Sequence, residues 1–492
     1  MLFSGILVLS GCGPKVALPH PRIFQRSQIV LALHPLALNP FSPSGRPNAW
    51  VMNMMYDSLV RINAQGEISG DIAQTWQVQN GARLYVFHLN PHAKWWNGRP
   101  ISVHDVAWSY TLYANPNAPV ASSQSLSSLI ASISVPNAGT VAITLKRPDP
   151  AFLQNVAAAG DGHPVLPAFM VSRIPLSTLS ASPIFNKIPD MMGSGPYRPY
   201  AAYPGGIRWI ANAHYFLGAP KTRTLITTWT ARPPADVSWR SSIPAVDPRP
   251  SRYAGSSYTM LLFNFQAPLP AAVREALPGL IDRQALSRAL TAPTFPAVEP
   301  VLPGSLYAVP VKTPSGSSIL RRAGYKQSGG LWESSSGRVV HLTITASTGA
   351  PSRLVAHALQ QQLSARGISV TVEFVPDLPR VLARHQFTLA LVQRHADPFP
   401  KMAGEFGLGA PRNYGSYFNP TFQTRLNAMN SAPNLIQSEH QALAALLSDP
   451  PGVYLLWTAR AVTISQSVEH FTLNPYDPLE TITQWTVARP GK

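Results

Sequence analysis

The chain has 492 residues, 45% of them hydrophobic and 12% charged, and Lys and Arg outnumber Asp and Glu by 39 to 22 for a net charge of +17. Hydrophobic cores stop growing near ~250–300 residues, so two or more lobes are expected, and the apolar content excludes a mostly disordered chain. The basic residues are scattered, singly or in pairs such as Lys146-Arg147 and Arg321-Arg322, with no Lys/Arg-rich run; this points to a surface poor in carboxylates rather than to a concentrated nucleic-acid surface. One physical motive for such a surface is an acidic medium, where carboxylates lose their charge near pH ~4 while Arg keeps it.

At the N-terminus, residues 1–9 form a short apolar run that leads into Leu9-Ser10-Gly11-Cys12, and Cys12 is the one cysteine of the chain. An internal disulfide is therefore excluded. The arrangement resembles the bacterial lipoprotein box, although no Lys or Arg precedes Cys12. It implies a signal segment over 1–12 and lipidation of Cys12, with 13–27, which holds Pro14, Pro19 and Pro21, as a tether. No later stretch holds ~18 consecutive apolar residues, so no membrane-spanning helix is expected after it.

The apolar run 28–33 reads as a strand, and Pro35, Pro40, Pro43 and Pro47 then force a loop. Trp50, Met54, Tyr56 and Leu59 share a helical face over 49–60. A strand at 85–89 is followed by Ser102, a plausible N-cap, with Asp105 three residues on as in a capping box. Further strands are expected at 141–145, 225–229, 258–265, 339–345, 368–375, 387–392, 453–457 and 461–465. Helices are expected at 152–159, 273–290 (interrupted by Pro278-Gly279), 319–324, 422–429 and 437–447. A strong helix over 352–366 carries Leu354, Ala358, Leu359 and Leu363 on one stripe, with Gly367 as its stop. Such mixed elements fit α/β lobes.

Several landmarks fall in a set order: Tyr-Asp-Ser-Leu-Val at 56–60, Ile-Ala-Gln-Thr-Trp at 72–76, Tyr-Val-Phe-His-Leu at 85–89, Trp-Asn-Gly-Arg-Pro at 96–100 and His-Asp-Val at 104–106. Gly-Ser-Gly-Pro-Tyr at 193–197, the segment 212–220, Leu-Leu-Phe-Asn at 261–264, Arg-Glu-Ala-Leu at 274–277, Ile-Asp-Arg at 281–283, Arg-Ala-Gly-Tyr at 322–325 and His-Ala-Asp at 395–397 complete it. The series resembles extracellular solute-binding protein family 5, the oligopeptide/dipeptide/nickel-binding class of ABC importers, over about residues 28–480. The chain departs from that pattern at Pro278, in a normally regular helix, and at Gln393-Arg394, where the family has Gly-Trp. The resemblance implies a periplasmic-binding-protein-like type II fold: two α/β lobes joined by crossing strands, with an extra subdomain on the first lobe and a ligand closed between the lobes. The first lobe would comprise 28–50, 192–260 and 472–492, the accessory subdomain 51–191, and the second lobe 261–471. The crossing strands are expected near 261–264 and 466–473.

The candidate ligand-binding residues follow from this resemblance. Asp397, after strand 387–392, stands where many peptide-binding relatives pair a carboxylate with the ligand's α-ammonium, a charge-assisted bond. Arg394 and His395 flank it; Arg could receive a carboxylate bidentately or simply neutralise Asp397. Asp161 and His163 match a stretch that reaches the cleft from the accessory subdomain. His34 and Asn39 follow the first strand, and Asn413 and Tyr417 fall in a segment that faces the cleft in relatives. Each has a structural alternative as a turn, cap or core residue. His88 and His92 sit in and just after a strand, so their four-residue offset does not make a metal site.

No His-Glu-x-x-His, Gly-x-Ser-x-Gly, phosphate-binding loop or Ser-x-x-Lys motif occurs. The expected protein is a binder and not an enzyme, without metal or cofactor. It would be a monomer held to the membrane by a lipid, at the outer face of the cytoplasmic membrane or in the periplasm. Its partners would be a peptide or other small solute and an ABC permease and ATPase complex, and not nucleic acid. A ligand sensor on the same fold and a secreted hydrolase are the competing readings.

Overall fold

A computed structural model describes residues 28–34, 37–41, 46–63, 65–120, 123–158, 163–239, 248–290, 294–396, 400, 402–429, 432, 434–474 and 477–488. Its backbone is organised by one eleven-stranded sheet. From one edge the strands run Ser369–Val375, His341–Ser347, Leu389–His395, Pro248–Phe263, Gly452–Ser465, Val237–Ser238, Gln28–Ala32, Thr224–Thr228, Gly206–Ala211 and Tyr197–Tyr203; Thr294–Pro296 pairs with Gly452–Ser465 off this path.

Two long strands, Pro248–Phe263 and Gly452–Ser465, join the lobes. They pair antiparallel twice, 248–254 against 459–465 and 258–262 against 452–457, with the register shifting between Ala254 and Tyr258. The segments expected separately at 453–457 and 461–465 are thus one continuous strand. The second crossing expected at 466–473 is not there: that stretch forms only the two-residue strand Val468–Glu469, which pairs with Thr486–Val487.

Alternation along Gln28–Ala32 divides the first lobe. Ile29 and Leu31 enter the large core with Tyr197, Trp209, Leu225, Val462 and Trp485, while Val30 and Ala32 join a small cluster with Ile226 and Ala235 on the other face. The accessory subdomain shares the large core through Tyr85, Phe87, Val106 and Tyr110. Its four-stranded antiparallel sheet runs Ala73–Gln79, Leu84–Leu89, Thr140–Leu145, Ile130–Asn137. The helix Val103–Tyr113 packs on that sheet and begins with the expected capping box: Ser102 accepts from the Asp105 N–H, and Asp105 accepts from the Ser102 N–H. Such caps contribute about 1 kcal/mol. The loop at 193–195 is pressed against the helix Arg46–Met55; the Ser194 and Gly195 N–H groups both donate to the Met55 carbonyl. A Cβ at Gly193 would strike that carbonyl and the Trp96 ring, so glycine is required there.

In the second lobe Leu261, Phe263, Leu389 and Leu391 lie on one sheet face, covered by the helices Ala271–Leu280 and Ala350–Ser364. Tyr258, Met260, Ala390 and Val392 enter the core on the opposite face. Pro278 does not break the helix Ala271–Leu280; it sits in the last turn, and the break comes at Ile281-Asp282. The buried stripe of Ala350–Ser364 is Val355, Ala356, Leu359 and Leu363, while Leu354 is exposed. The apolar stripe is therefore rotated by one residue from the sequence expectation.

Candidate functional site

Strand direction fixes where a ligand can sit. Gln28–Ala32, Thr224–Thr228 and Val237–Ser238 are parallel to one another. Val237–Ser238 is antiparallel to Gly452–Ser465, which is antiparallel to Pro248–Phe263. All three therefore run toward the second lobe. In that lobe His341–Ser347, Ser369–Val375 and Leu389–His395 are parallel to one another and antiparallel to Pro248–Phe263, so they run toward the first lobe. The carboxyl ends of the parallel strands of both lobes face each other across the crossing strands. In open α/β sheets ligands bind outside these ends.

On the first-lobe side, His34 is exposed two residues past its strand and stacks on Trp229, with ring centroids 4.5 Å apart and planes 23° apart. Trp229 directly follows Thr224–Thr228, the parallel neighbour. Asn39 is buried: its Nδ2 donates to the Ser180 carbonyl at 2.6 Å and to Asn186 Oδ1 at 3.1 Å, and its Oδ1 accepts from the Phe41 N–H. Its carboxamide is engaged in joining two loops.

On the second-lobe side the strand continues to His395, beyond the expected end at 392. Arg394 and His395 consequently point to opposite faces. Gln393 and His395 are exposed; Gln393 Nε2 lies 3.4 Å from Thr458 Oγ1, and His395 Nδ1 lies 3.0 Å from Ser257 Oγ. Arg394 is buried beside the core, paired with Glu405, and its Nη2 donates to the Arg412 carbonyl at 3.0 Å. Arg412 Nη1 meets the other Glu405 oxygen at 2.8 Å. Tyr258, His395, Met402, Glu405, Phe406 and Arg412 line a cavity of about 540 Å3 here.

Asn413 and Tyr417 organise the loop that carries Arg412. Asn413 Nδ2 donates to the carbonyls of Gly407 and Tyr417, and its Oδ1 accepts from the Tyr417 N–H at 2.8 Å. The Tyr417 ring is buried against Phe265 and Phe422, and that burial raises its hydroxyl pKa. His163 is buried edge-on to Tyr113, ring centroids 5.3 Å apart, and desolvation pulls its imidazole down to about 4. It is therefore neutral at pH 7. Cys12, Asp161 and Asp397 lie outside the described residues.

Of the sequence candidates, the structure sets His34 and His395 at the facing strand ends and Arg394 directly behind one of them. Sequence reasoning missed Trp229, Ser257, Glu405 and Arg412. Trp229 was legible as the last residue of the strand expected at 225–229. Glu405 and Arg412 carried no local signal, because their meeting with Arg394 is tertiary. Among the described residues no group of three His, Cys, Asp or Glu side chains could hold a metal ion. No helix among them is long and apolar enough to cross a membrane.

The fold recurs in solved structures. HbpA2 from Haemophilus parasuis superposes with a TM-score of 0.78 at 18% identity, covering 94% of this chain and 100% of that one. The oligopeptide-binding protein AppA from Bacillus subtilis, in complex with a nonapeptide, superposes with a TM-score of 0.62 at 19% identity, covering 94% and 99%. A putative ABC transporter peptide-binding protein of Brucella ovis is 27% identical over 202 residues, 41% of this chain and 36% of that protein. The match thus spans about a third of that relative's length. The model of bacterial extracellular solute-binding proteins, family 5 middle, matches residues 67–238 and 226–420, most of the chain. A type II binding-protein fold with facing strand ends and a family match over most of its length place this chain in the bacterial extracellular solute-binding protein family 5.

Proposed function

We propose that the chain is the extracytoplasmic solute-binding receptor of an ABC importer, which takes a peptide or similar small solute into the gap between its lobes and delivers it to a permease. The observation that carries this reading is the facing of the two sets of strand carboxyl ends, with the exposed His34 stacked on half-buried Trp229 on one side and His395, Gln393 and Ser257 on the other. The name of the Brucella ovis relative and the nonapeptide held by AppA support a peptide as the cargo class. In this reading the stacked rings offer a flat apolar wall and Asp397 takes the positive end of the ligand. Arg394, already paired with Glu405, positions the strand end and does not itself touch cargo. Lipidation at Cys12 would hold the receptor at the outer face of the cytoplasmic membrane, and the permease and its ATPase would be its partners.

Native mass spectrometry of protein purified without added ligand identifies retained cargo, and calorimetry then compares variants. Asp397→Asn removes a charge-assisted hydrogen bond worth about 1.5–3 kcal/mol, roughly a tenfold to hundredfold weaker Kd for an ammonium-bearing peptide. Trp229→Ala should weaken binding as well. The reading fails if peptide affinity is unchanged in Asp397→Asn, Trp229→Ala and His395→Ala alike. Palmitate labelling that persists in Cys12→Ala would remove the lipid anchor from it.

A further inference from the structure

A second cavity, of about 800 Å3, lies on the seam between the accessory subdomain and the second lobe. It shares no lining residue with the cavity beside His395. Trp76, Val78 and Leu153 come from the accessory subdomain, and Leu306, Leu435 and Ile436 from the second lobe. The seam beside it is bridged by the Leu306 N–H, which donates to the Gln65 carbonyl at 2.9 Å, while within the second lobe His440 Nε2 meets the Leu306 carbonyl at 2.7 Å.

Three features converge on these walls that stability alone does not call for. Val78 and Ile436 are 47% and 42% exposed, yet both line the same hollow from opposite sides. The turn Asn80-Gly81-Ala82, also in the wall, is left-handed at all three residues, with φ of 51°, 59° and 62°. Left-handed backbone is unfavourable for alanine, and strain of this kind collects at ligand clamps. Gln154 stands on the π-helical turn Leu153–Ala157, a form enriched at functional sites. It is only 6% exposed, its Oε1 has no hydrogen-bond partner, and its Nε2 reaches the Tyr307 hydroxyl only at 3.4 Å. A buried acceptor left unmet is costly, and a donor brought by a ligand would satisfy it.

The charge of the wall narrows the ligand. Apart from the Tyr307 phenol, Glu67 is the one ionisable side chain among the described lining residues, and Asn63 Nδ2 already donates to it at 2.6 Å. Gln79, Asn80, Gln154 and Asn434 supply carboxamides, so the lining is apolar with a few neutral polar groups, as small-molecule sites of ~300–1,000 Å3 are. We propose that this cavity is a second binding site, separate from the gap at the strand ends, for an uncharged, largely apolar molecule carrying an N–H or O–H donor that Gln154 accepts. An occupant touching both walls favours the arrangement in which they are apposed. The site holds whatever the main cargo is.

N-phenyl-1-naphthylamine tests it: the molecule is neutral, apolar, carries one N–H and brightens in apolar surroundings. The full chain should bind it saturably at one equivalent. Val78→Lys with Ile436→Lys, at positions exposed enough to leave the fold intact by circular dichroism, should weaken binding at least tenfold. Gln154→Leu should weaken this probe severalfold but not 1-phenylnaphthalene, which has no N–H. Trp229→Ala should leave the probe bound as before. The proposal is overturned if binding does not saturate or ignores the paired lysines. It is equally overturned if Trp229→Ala abolishes binding, which would put the probe in the gap at the strand ends.

Discussion

Arg61 in the first lobe and Arg394 in the second both pair with buried carboxylate, and among the described residues the ratio of arginine to carboxylate differs between them. Arg61 meets two buried carboxylates, Asp57 at 2.7 Å and Asp71 at 3.2 Å, and the Tyr215 hydroxyl donates to the same Asp57 oxygen at 2.7 Å. Burial raises Asp71, and also Asp477 and Glu480 nearby, while the Arg61 charge pulls all three back down. In the second lobe one carboxylate, Glu405, serves two arginines, Arg394 and Arg412, and it lines the cavity at the strand end. Among the described residues the first cluster sets two carboxylates around one arginine, and the second sets two arginines around one carboxylate on the wall of a cavity. The first cluster ties buried carboxylates to the fold, and the second sets the exposed Arg412 side chain on a cavity wall where a ligand can meet it.

The comparison is broken most sharply at Glu405. Removing one partner of a buried ion pair leaves the other charge uncompensated, at a cost of about 3–5 kcal/mol. Glu405→Gln should lower unfolding free energy in urea by that amount, because Arg394 has little solvent to fall back on. A loss below ~1 kcal/mol would mean that Arg394 is adequately held by the Arg412 carbonyl and its stacking near Phe406 and Tyr414, and the contrast with Arg61 would lose its basis.

A carboxylate with no cation sharpens the point. Glu439, on the helix Leu435–Ser448, is fully buried with no hydrogen-bond partner for either oxygen, and desolvation pushes it up to about 8. Glu299 is pushed to about 7 by the same cause. A carboxyl whose folded pKa is raised stabilises the fold below its unfolded value near ~4.5 and loses that contribution as pH climbs through the folded value. For Glu439 the loss between pH 5 and 8 is on the order of 3–4 kcal/mol. His163, lowered to about 4, works the other way: its contribution is full above ~6.5 and is lost as pH falls through about 4. Comparing wild type with Glu439→Gln cancels the other groups. The variant should match wild type near pH 5 and exceed it at pH 8; equal stability at both pH values would show that Glu439 is ionised in the fold. The raised carboxyls Glu439 and Glu299, unlike His163, suit an acidic medium, the setting the carboxylate-poor surface suggests.

On the Arg61 side the expected effect is smaller. Tyr215→Phe leaves both carboxylates and the arginine in place and removes one hydroxyl that donates to Asp57. A buried hydrogen bond to a charged group contributes about 1.5–3 kcal/mol, and Arg61 continues to satisfy the same oxygen, so the loss should fall near ~1–2 kcal/mol in urea. An unchanged midpoint would show that Arg61 alone sets the cluster.

What was legible in the sequence follows the range of the interaction. The capping box at Ser102 and Asp105 is complete within four residues and could be read directly. The family landmarks were likewise local, and with them came the fold. The strand end at His395 was misplaced because Gln393 and Arg394 look like loop residues; which of them faces the core depends on Glu405, eleven residues past Arg394 and brought to it by the fold. The strand Gly452–Ser465 read as two because its middle, Thr458-Ala459-Arg460, lacks the apolar run that marks a strand, yet pairing with Pro248–Phe263 carries it through. The seam cavity joins residues more than 350 positions apart, such as Trp76 and Ile436, and no pattern in either stretch announces the other.

The smallest stability effect should come from Arg412, and it separates charge from structure at the site. Its side chain is 62% exposed, whereas the carbonyl that Arg394 uses belongs to its backbone and survives any side-chain change. Arg412→Gln therefore keeps the Arg394–Glu405 pair and removes an exposed ion pair with Glu405, worth less than ~1 kcal/mol. What it removes from the cavity wall is one positive charge. Affinity for a ligand with a free carboxylate should fall severalfold in calorimetry at low salt, and the difference from wild type should shrink as salt rises toward ~0.5 M and screening shortens. A stability loss above ~2 kcal/mol would mean that Arg412 belongs to the buried pair after all. An affinity change that persists at high salt would mean that it contacts the ligand directly and does not merely set the potential of the cavity.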